Sequence, residues 1–316
     1  MSSVLRIGTR GSMLARWQSD FCLERLKSIG VSAEIVVIQT SGDQIQNSSI
    51  IDIGAQGVFT KEIQRGLLRN EIDVAVHSLK DLPTDFVEGL ELSVVLRRGS
   101  YYDVFIGSSC KSLEELPEGS RIGTGSLRRK TQIINRYGNK FKIEEIRGNV
   151  ETRLHKLDNG EYDAIILAEA GLERLGFADR IGSILKPPFF LPAVGQGAIG
   201  LEIRSNDQET ESKIKPLCDP ITFKSVIAER AMLRKLQGGC IVPIGALCST
   251  TDSNSNLSLH GRILSINGKK MIEKIKTTPF NTNDPESLGK NVADELIAQG
   301  ANEILQEIIQ FRKKLK

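Results

Sequence analysis

The chain has 316 residues, which at roughly 150 residues per domain implies two or three domains. Hydrophobic residues make up 40% and charged residues 26%, enough to bury real cores in a soluble protein. Lys and Arg number 42 against 39 Asp and Glu, a balance that excludes a nucleic-acid protein working by bulk charge, so any basic site must come from clustering. No apolar run approaches the roughly 18 residues of a membrane helix, and Met1-Ser2-Ser3-Val4-Leu5-Arg6 has no apolar leader core. A cytoplasmic protein without a membrane or nucleic-acid partner is expected. Cys22, Cys110, Cys218, Cys240 and Cys248 form no CxxC pair, and His77, His155 and His260 lie far apart. That pattern argues against a disulfide framework and against a metal site.

In chain order, Val4–Gly8 reads as a strand, and Ser12 caps a helix that Gly30 stops. Ala33–Gln39 is a strand, Thr60 caps a helix carrying Ile63, Leu67 and Leu68, and Ile72–Val76 and Leu90–Leu96 are strands. The pattern restarts with the strand Arg121–Thr124, a helix opened by Ser126 and ended by Gly138, the strand Lys142–Ile146, the helix Val150–Leu157 and the buried strand Asp163–Ala168. Alternation of this kind predicts an α/β fold with mixed, mostly parallel sheets. Pro187-Pro188 and Pro192 interrupt it, and Ala198–Arg204 returns as a strand. A helix from Thr222 to about Leu236, three alternating strands (Ile241–Cys248, Leu257–Ile266, Lys270–Thr277) and helices from Pro285 onward predict a small α+β C-terminal domain. Arg6-Ile7-Gly8-Thr9 recurs as Arg121-Ile122-Gly123-Thr124, each followed by a Gly-Ser pair that opens a helix. Two lobes built alike, with a ligand cleft, follow from that echo, because open α/β sheets bind ligands at such turns.

Basic residues gather at these turns. Arg128, Arg129 and Lys130 fall in the first turn after Ser126, Arg10 precedes Ser12, Arg147 follows a strand, and Arg153 lies on the next helix. Positive charge at a helix start opposes the dipole by roughly 0.3–1 kcal/mol per charge. An anion held by helix N-termini and guanidinium forks turns that cost into a gain; ordinary solvated arginines are the other reading. On the first reading, replacing Arg128 or Arg129 leaves folding little changed. Lys80 and Asp81 follow a strand, where Asp81 serves either as a proton carrier or as half of a surface ion pair. Gly195-Gln196-Gly197-Ala198-Ile199-Gly200 has GxGxxG form, but it leads into a strand and not a helix, so a dinucleotide site is rejected. In Gly238-Gly239-Cys240 two glycines make Cys240 either an accessible reactive thiol or an inert lone cysteine. A non-catalytic organic-anion binder and a phosphate-ligand enzyme also accommodate these features.

Together the strings Arg6-Ile7-Gly8-Thr9-Arg10 with Ser12, Val76-His77-Ser78-Leu79-Lys80-Asp81, Gly123-Thr124 with Ser126-Leu127-Arg128-Arg129, Arg147-Gly148-Asn149-Val150 with Thr152-Arg153-Leu154, Leu191-Pro192-Ala193-Val194-Gly195-Gln196-Gly197, and Gly238-Gly239-Cys240 with Val242-Pro243-Ile244-Gly245 resemble the porphobilinogen deaminase (hydroxymethylbilane synthase) family. The resemblance covers nearly the whole chain. It implies two lobes like those of periplasmic binding proteins, at 1–98 with 198–217 and at 103–192, and a cofactor-cysteine domain at 220–316. It implies a monomeric transferase that condenses four porphobilinogen molecules head to tail, releasing ammonia each time, to give hydroxymethylbilane for porphyrin and heme biosynthesis. The implied cofactor is a dipyrromethane joined by a thioether to Cys240. Asp81 is implied as the catalytic acid/base. Lys80, Arg128, Arg129, Ser126 and Thr124 are implied cofactor-binding residues, and Arg10, Ser12, Arg147, Arg153, Ser78 and Gln196 substrate-binding residues. Asn47–Gly57 is expected to be a lid. Gly11, Gly125, Gln56 and the string Gly99-Ser100-Tyr101-Tyr102 depart from the family pattern.

Overall fold

Val74, Ala75, Val76 and His77 are all buried, as expected for a strand covered on both faces. They belong to β3 (Val74–Ser78), near the middle of the first of three sheets in a computed structural model that describes residues 4–39, 60–85, 87–237, 242–251, 255–282 and 284–314. Two compact units divide the chain, residues 1–99 with 197–224 and residues 100–196 with 225–316.

The first unit holds β1 (Leu5–Thr9), α1 (Met13–Ser28), β2 (Ala33–Val37), α2 (Lys61–Leu68), β3, β4 (Leu90–Val95), β10 (Ile199–Arg204) and α6 (Gln208–Ile214). Their sheet order is β2-β1-β3-β10-β4. The trio β2-β1-β3 is parallel, and β10 lies antiparallel between β3 and β4. Period-two alternation splits the core. Val74 and Val76 face a cluster with Leu5, Ile7, Cys22 and Leu26, whereas Ala75 faces Ile63, Leu67 and Ile72. Helix α1 therefore covers one side and α2 the other. Thr60 occupies the N-cap position of α2, but its backbone is helical and its side chain makes no capping bond, which corrects the reading of Thr60 as the cap.

The second unit repeats this plan with β5 (Asp103–Gly107), β6 (Arg121–Gly123), α3 (Leu127–Tyr137), β7 (Lys142–Glu144), α4 (Val150–Asp158), β8 (Ala164–Ala168), α5 (Glu169–Arg174) and β9 (Ser183–Leu185). The order is β7-β6-β8-β5-β9, again a parallel trio followed by an antiparallel strand in fourth place. In both sheets that fourth strand comes from a distant stretch of sequence: β10 follows all of residues 100–196, and β5 follows the first unit's β4. Strands β5 and β9 and helix α5 have no counterpart in the sequence reading. In β5, Phe105 and Val104 enter opposite clusters, so a short fully apolar run carries no alternation by which to recognise it.

The Arg-Ile-Gly-Thr echo is structural. The Arg6 backbone N–H donates to Asp73 Oδ2 at 3.0 Å and the Arg121 N–H to Asp163 Oδ2 at 2.7 Å. In return Asp73 N–H reaches Arg6 O, and Asp163 N–H reaches Arg121 O, both at 2.9 Å. Each central strand is thus tied at its start to the aspartate preceding the neighbouring parallel strand. The glycines of the echo answer to close packing. A Cβ on Gly8 would stand 2.2 Å from Ile72 Cδ1, and one on Gly123 would stand 3.0 Å from Tyr162.

The same unit carries the C-terminal layer. Helix α7 (Pro220–Lys235), which begins in the first unit's residues, leads to the antiparallel sheet β11 (Ile244–Thr251), β12 (Asn256–Leu264) and β13 (Met271–Pro279), followed by α8 (Pro285–Ala298) and α9 (Ala301–Lys314). One sheet face packs on the helices through Met232, Leu257, Leu259, Ile263, Val292 and Leu296. Gly289 lets α8 approach α7: a Cβ there would meet Ala228 O at 2.1 Å. Arg262 fastens β12 to the 188–191 loop, donating to Pro188 O at 2.7 Å and Phe189 O at 3.1 Å. Buried Glu229 accepts from Gly195 N–H at 2.7 Å and Cys248 N–H at 2.8 Å.

Candidate functional site

In the first unit β1 and β3 run parallel with Gly8 opposite Ala75, so their carboxyl ends lie at the same edge of the sheet, β3 running on past β1. Arg10 and Ser12 follow β1. Ser12 is the N-cap of α1, its Oγ accepting from Ala15 N–H, so its preference for that place is local chemistry. Ser78 ends β3 two residues beyond the expected strand, and its Oγ lies 2.8 Å from Gln18 Nε2. Lys80 and Asp81 lie in the turn that follows. Asp81 N–H donates to Ser78 O at 2.9 Å, and the Asp81 side chain is exposed. Beneath the turn, buried His77 hydrogen-bonds Glu202 across to β10 at 2.9 Å, and Glu202 also accepts from Gln64 at 2.9 Å. Hence the base of the Lys80–Asp81 turn is pinned by a satisfied polar network.

In the second unit the corresponding turn follows β6. Thr124 is buried, its Oγ1 accepts from Ser126 N–H at 3.3 Å, and Ser126 caps α3 by accepting from Arg129 N–H. Arg147 and Arg153 flank the start of α4, next to β7. Arg147 pairs with Glu145, and Arg153 Nε donates to Gly148 O at 2.8 Å, where Gly148 has φ of 108°. Only glycine takes up that left-handed backbone without strain.

Arg128 and Arg129 depart from the solvated-arginine reading. They are neither solvated nor confined to the helix start as a dipole cost; both are buried, at 4% and 6% exposure. Arg128 Nη1 donates to Asp103 Oδ2 and to Leu191 O, each at 2.6 Å. Arg129 Nε donates to Asp103 Oδ1 at 2.8 Å and its Nη1 to Ile166 O at 2.8 Å. Gln196, 1% exposed, adds an Nε2 bond to Asp103 Oδ1 at 3.1 Å and another to Tyr101 O at 2.8 Å. Burial by itself would raise the Asp103 carboxyl, but Arg128 and Arg129 outweigh it and hold the group down at about 2.

This corrects the expectation that Arg128→Leu or Arg129→Leu leaves folding little changed. Removing one partner of a buried pair strands the other, at a cost of about 3–5 kcal/mol. Either variant is expected to lower the urea unfolding midpoint clearly; an unchanged midpoint would show the pair to be dispensable for stability.

Asp73 makes a parallel case in the first unit. It binds Arg6 Nη2 at 2.9 Å and Arg204 Nη2 at 3.1 Å, and against the raising effect of burial these arginines lower it to about 2. Both carboxyls have folded values below the unfolded value of 3.8. Their stabilisation is complete above that unfolded value and is lost as pH falls from ~4 towards ~2. Urea midpoints measured from pH 5 to pH 2 should fall over that window, and Asp103→Asn should flatten the fall; an equal slope in that variant would count against the shift.

Cys240, Gly238 and Gly239 lie outside the described residues, as do Asn47–Gly57 and Gln56. Of the other cysteines, Cys22 and Cys248 are buried and Cys110 and Cys218 half-buried. At Gly11 a Cβ finds Val37 only at 3.9 Å, whereas at Gly125 it would press Ile146 O at 3.1 Å. The GxGxxG string runs into β10, in keeping with the rejection of a dinucleotide loop. The sequence reading missed Asp103, Asp73 and Glu229. A carboxylate leading an apolar run, as in Asp103-Val104-Phe105-Ile106, is the one signal that pointed to the first of them.

Capped strand-to-helix turns that carry arginines recur in the two α/β units. The porphobilinogen deaminase, dipyromethane cofactor binding domain model matches residues 5–212, and the porphobilinogen deaminase C-terminal domain model matches residues 223–298. Similar proteins include the porphobilinogen deaminase of Syntrophobacter fumaroxidans, 43% identical over 96% of this chain and 98% of that protein. The porphobilinogen deaminase of Brevibacillus brevis is 43% identical over 96% and 97%. Among solved structures, a nutrient binding protein from Burkholderia cenocepacia bound to methionine is similar with a TM-score of 0.44 and 13% identity, over 74% of this chain and 96% of that one. The chain belongs to the porphobilinogen deaminase family, whose members are transferases, and residues 5–212 are its dipyrromethane-cofactor-binding domain.

Proposed function

We propose that this chain joins four porphobilinogen molecules head to tail with loss of ammonia, giving hydroxymethylbilane, and that the residues at its strand-end turns divide the work as follows. The carrying observation is the doubled turn: Arg10 and Ser12 after β1, and Thr124, Ser126, Arg128 and Arg129 after β6, each set at the carboxyl end of a central parallel strand. Porphobilinogen carries two carboxylates, so a linear oligomer of it presents a row of them. The donor set suits that row, because guanidinium forks bind carboxylates bidentately and helix N-terminal N–H groups favour anions.

Lys80, Arg128, Arg129, Ser126 and Thr124 would hold the dipyrromethane, and Cys240 would anchor it through a thioether. When bound, the dipyrromethane supplies the pyrrole carbon to which the first substrate is joined. Arg10, Ser12, Ser78, Arg147, Arg153 and Gln196 orient substrate carboxylates. Asp81 offsets the positive charge that develops on the substrate pyrrole as ammonia leaves, and it carries protons to and from that site. Its exposed side chain on a pinned turn supports this role: the backbone is fixed from below while the carboxylate is left open to a ligand. The domain bounds 1–98 with 198–217, 103–192 and 220–316, a monomeric state and a cytoplasmic location belong to the same reading.

Intact-mass measurement of protein from cells that make porphobilinogen tests it. The expected adduct equals two deaminated porphobilinogen units on one peptide containing Cys240. An unmodified chain that neither gains mass with added porphobilinogen nor releases ammonia would instead favour a binding protein or a phosphate-ligand enzyme.

A further inference from the structure

We infer that Asp103 is a positioning residue for the reaction: its buried carboxylate fixes Arg128 and Arg129 in the orientation in which they receive carboxylates. The inference rests on the proposed role of those two arginines. Asp103 is wholly buried and lies at the first residue of β5, the antiparallel strand beside β8. One oxygen takes Arg128 Nη1 at 2.6 Å, and the other takes Arg129 Nε at 2.8 Å and Nη2 at 2.7 Å. Leu191 O and Ile166 O bind the same two guanidiniums from other sides, and Gln196 Nε2 closes the ring on Asp103.

Three points separate this arrangement from an ordinary core ion pair. Both arginines belong to the first turn of α3, where a helix gains nothing from positive charge. A single carboxylate braces two adjacent guanidiniums, which otherwise repel each other and splay. Gln196, from the loop preceding β10, ties that loop to the same carboxylate, so three of the candidate residues share one anchor. A planar fork delivers its bidentate geometry only when its rotation is fixed. Asn at position 103 keeps the shape but turns a donor –NH2 towards guanidinium N–H groups that need an acceptor.

Asp73 provides a matched control, since it also braces two arginines, Arg6 and Arg204, and has no part in the proposed machinery. The test compares Asp103→Asn, Asp103→Glu, Asp73→Asn, Arg128→Leu and Arg129→Leu as full chains made in porphobilinogen-producing cells. Primer-loaded fraction is read by intact mass, and KM and kcat for porphobilinogen are read on the loaded fraction well below each melting temperature. Asp103→Asn is expected to raise KM or lower loading by roughly tenfold, with kcat per loaded molecule changing less. Asp73→Asn should melt earlier but load and saturate like the parent. If Asp103→Asn does not fold, Asp103→Glu decides, because it keeps the charge and shifts the anchor by one methylene; a KM raised several-fold supports the inference. Parental loading and KM in the folded Asp103 variants, or an equal defect in Asp73→Asn, overturn it. Normal loading and saturation in both arginine variants would overturn the proposed arginine roles themselves, whereas defective arginine variants beside a normal Asp103→Asn overturn only the positioning role.

Discussion

Cys240→Ser is expected to yield a folded chain that carries no dipyrromethane and makes no hydroxymethylbilane. A serine hydroxyl is far from ionised at neutral pH, whereas a thiol has an accessible thiolate, and the thiolate is the nucleophile. No change in folding is expected, because serine replaces the cysteine sulfur with a single oxygen and leaves the rest of the side chain unchanged. The remaining thiols offer poor alternatives. Cys22 is 1% exposed in α1, and Cys248 is 3% exposed within β11. Cys110 and Cys218 are half-buried and so are the sites to check. Peptide mapping of the variant after incubation with porphobilinogen decides the matter. A stable two-unit adduct on Cys110 or Cys218, with retained turnover, would remove Cys240 from the mechanism.

Asp81→Asn is expected to slow ammonia release by a factor on the order of a hundred to a thousand, the equivalent of roughly 2.7–4 kcal/mol of barrier. Asn preserves size and one acceptor oxygen but loses the negative charge and the proton carrier. Its effect falls on turnover more than on substrate binding, since positive charge on the pyrrole develops mainly in the transition state. The turn should survive the change, because it is held by the Asp81 N–H to Ser78 O bond and by the His77–Glu202 pair below it, neither of which uses the Asp81 side chain. Asp81→Glu keeps the charge, displaces it by one methylene, and should fall between Asn and the parent. Single-turnover ammonia release, with primer loading checked by mass, gives the answer. Release at the parental rate from fully loaded Asp81→Asn would reduce Asp81 to a surface carboxylate.

Local chemistry was legible in the sequence. Ser12 and Ser126 cap their helices, Gly138 ends α3, and β3, β8 and β10 fall within two residues of the expected strands. Caps, stops and periodicity act within a few residues, so a linear reading captures them. The Arg-Ile-Gly-Thr echo announced two similar units for the same reason. Its aspartate partners, Asp73 and Asp163, were not evident, because each lies 67 or 42 residues away and is paired only by the sheet. The six strings carried the family resemblance, and residues 5–212 and 223–298 match two domain models of that family.

What the tertiary structure alone decided is the environment of the charges. From sequence, Arg128 and Arg129 had two readings, solvent or ligand. The fold brings Asp103, 25 and 26 residues earlier, and Gln196, 93 residues after Asp103, into one buried cluster. That placement depends on β5 inserting antiparallel beside β8 after the chain leaves the first unit, a choice no local propensity encodes. Burial then reverses the energetics. A guanidinium that costs a few tenths of a kcal/mol at a solvated helix start becomes, when desolvated against a single carboxylate, a partner whose removal costs several-fold more.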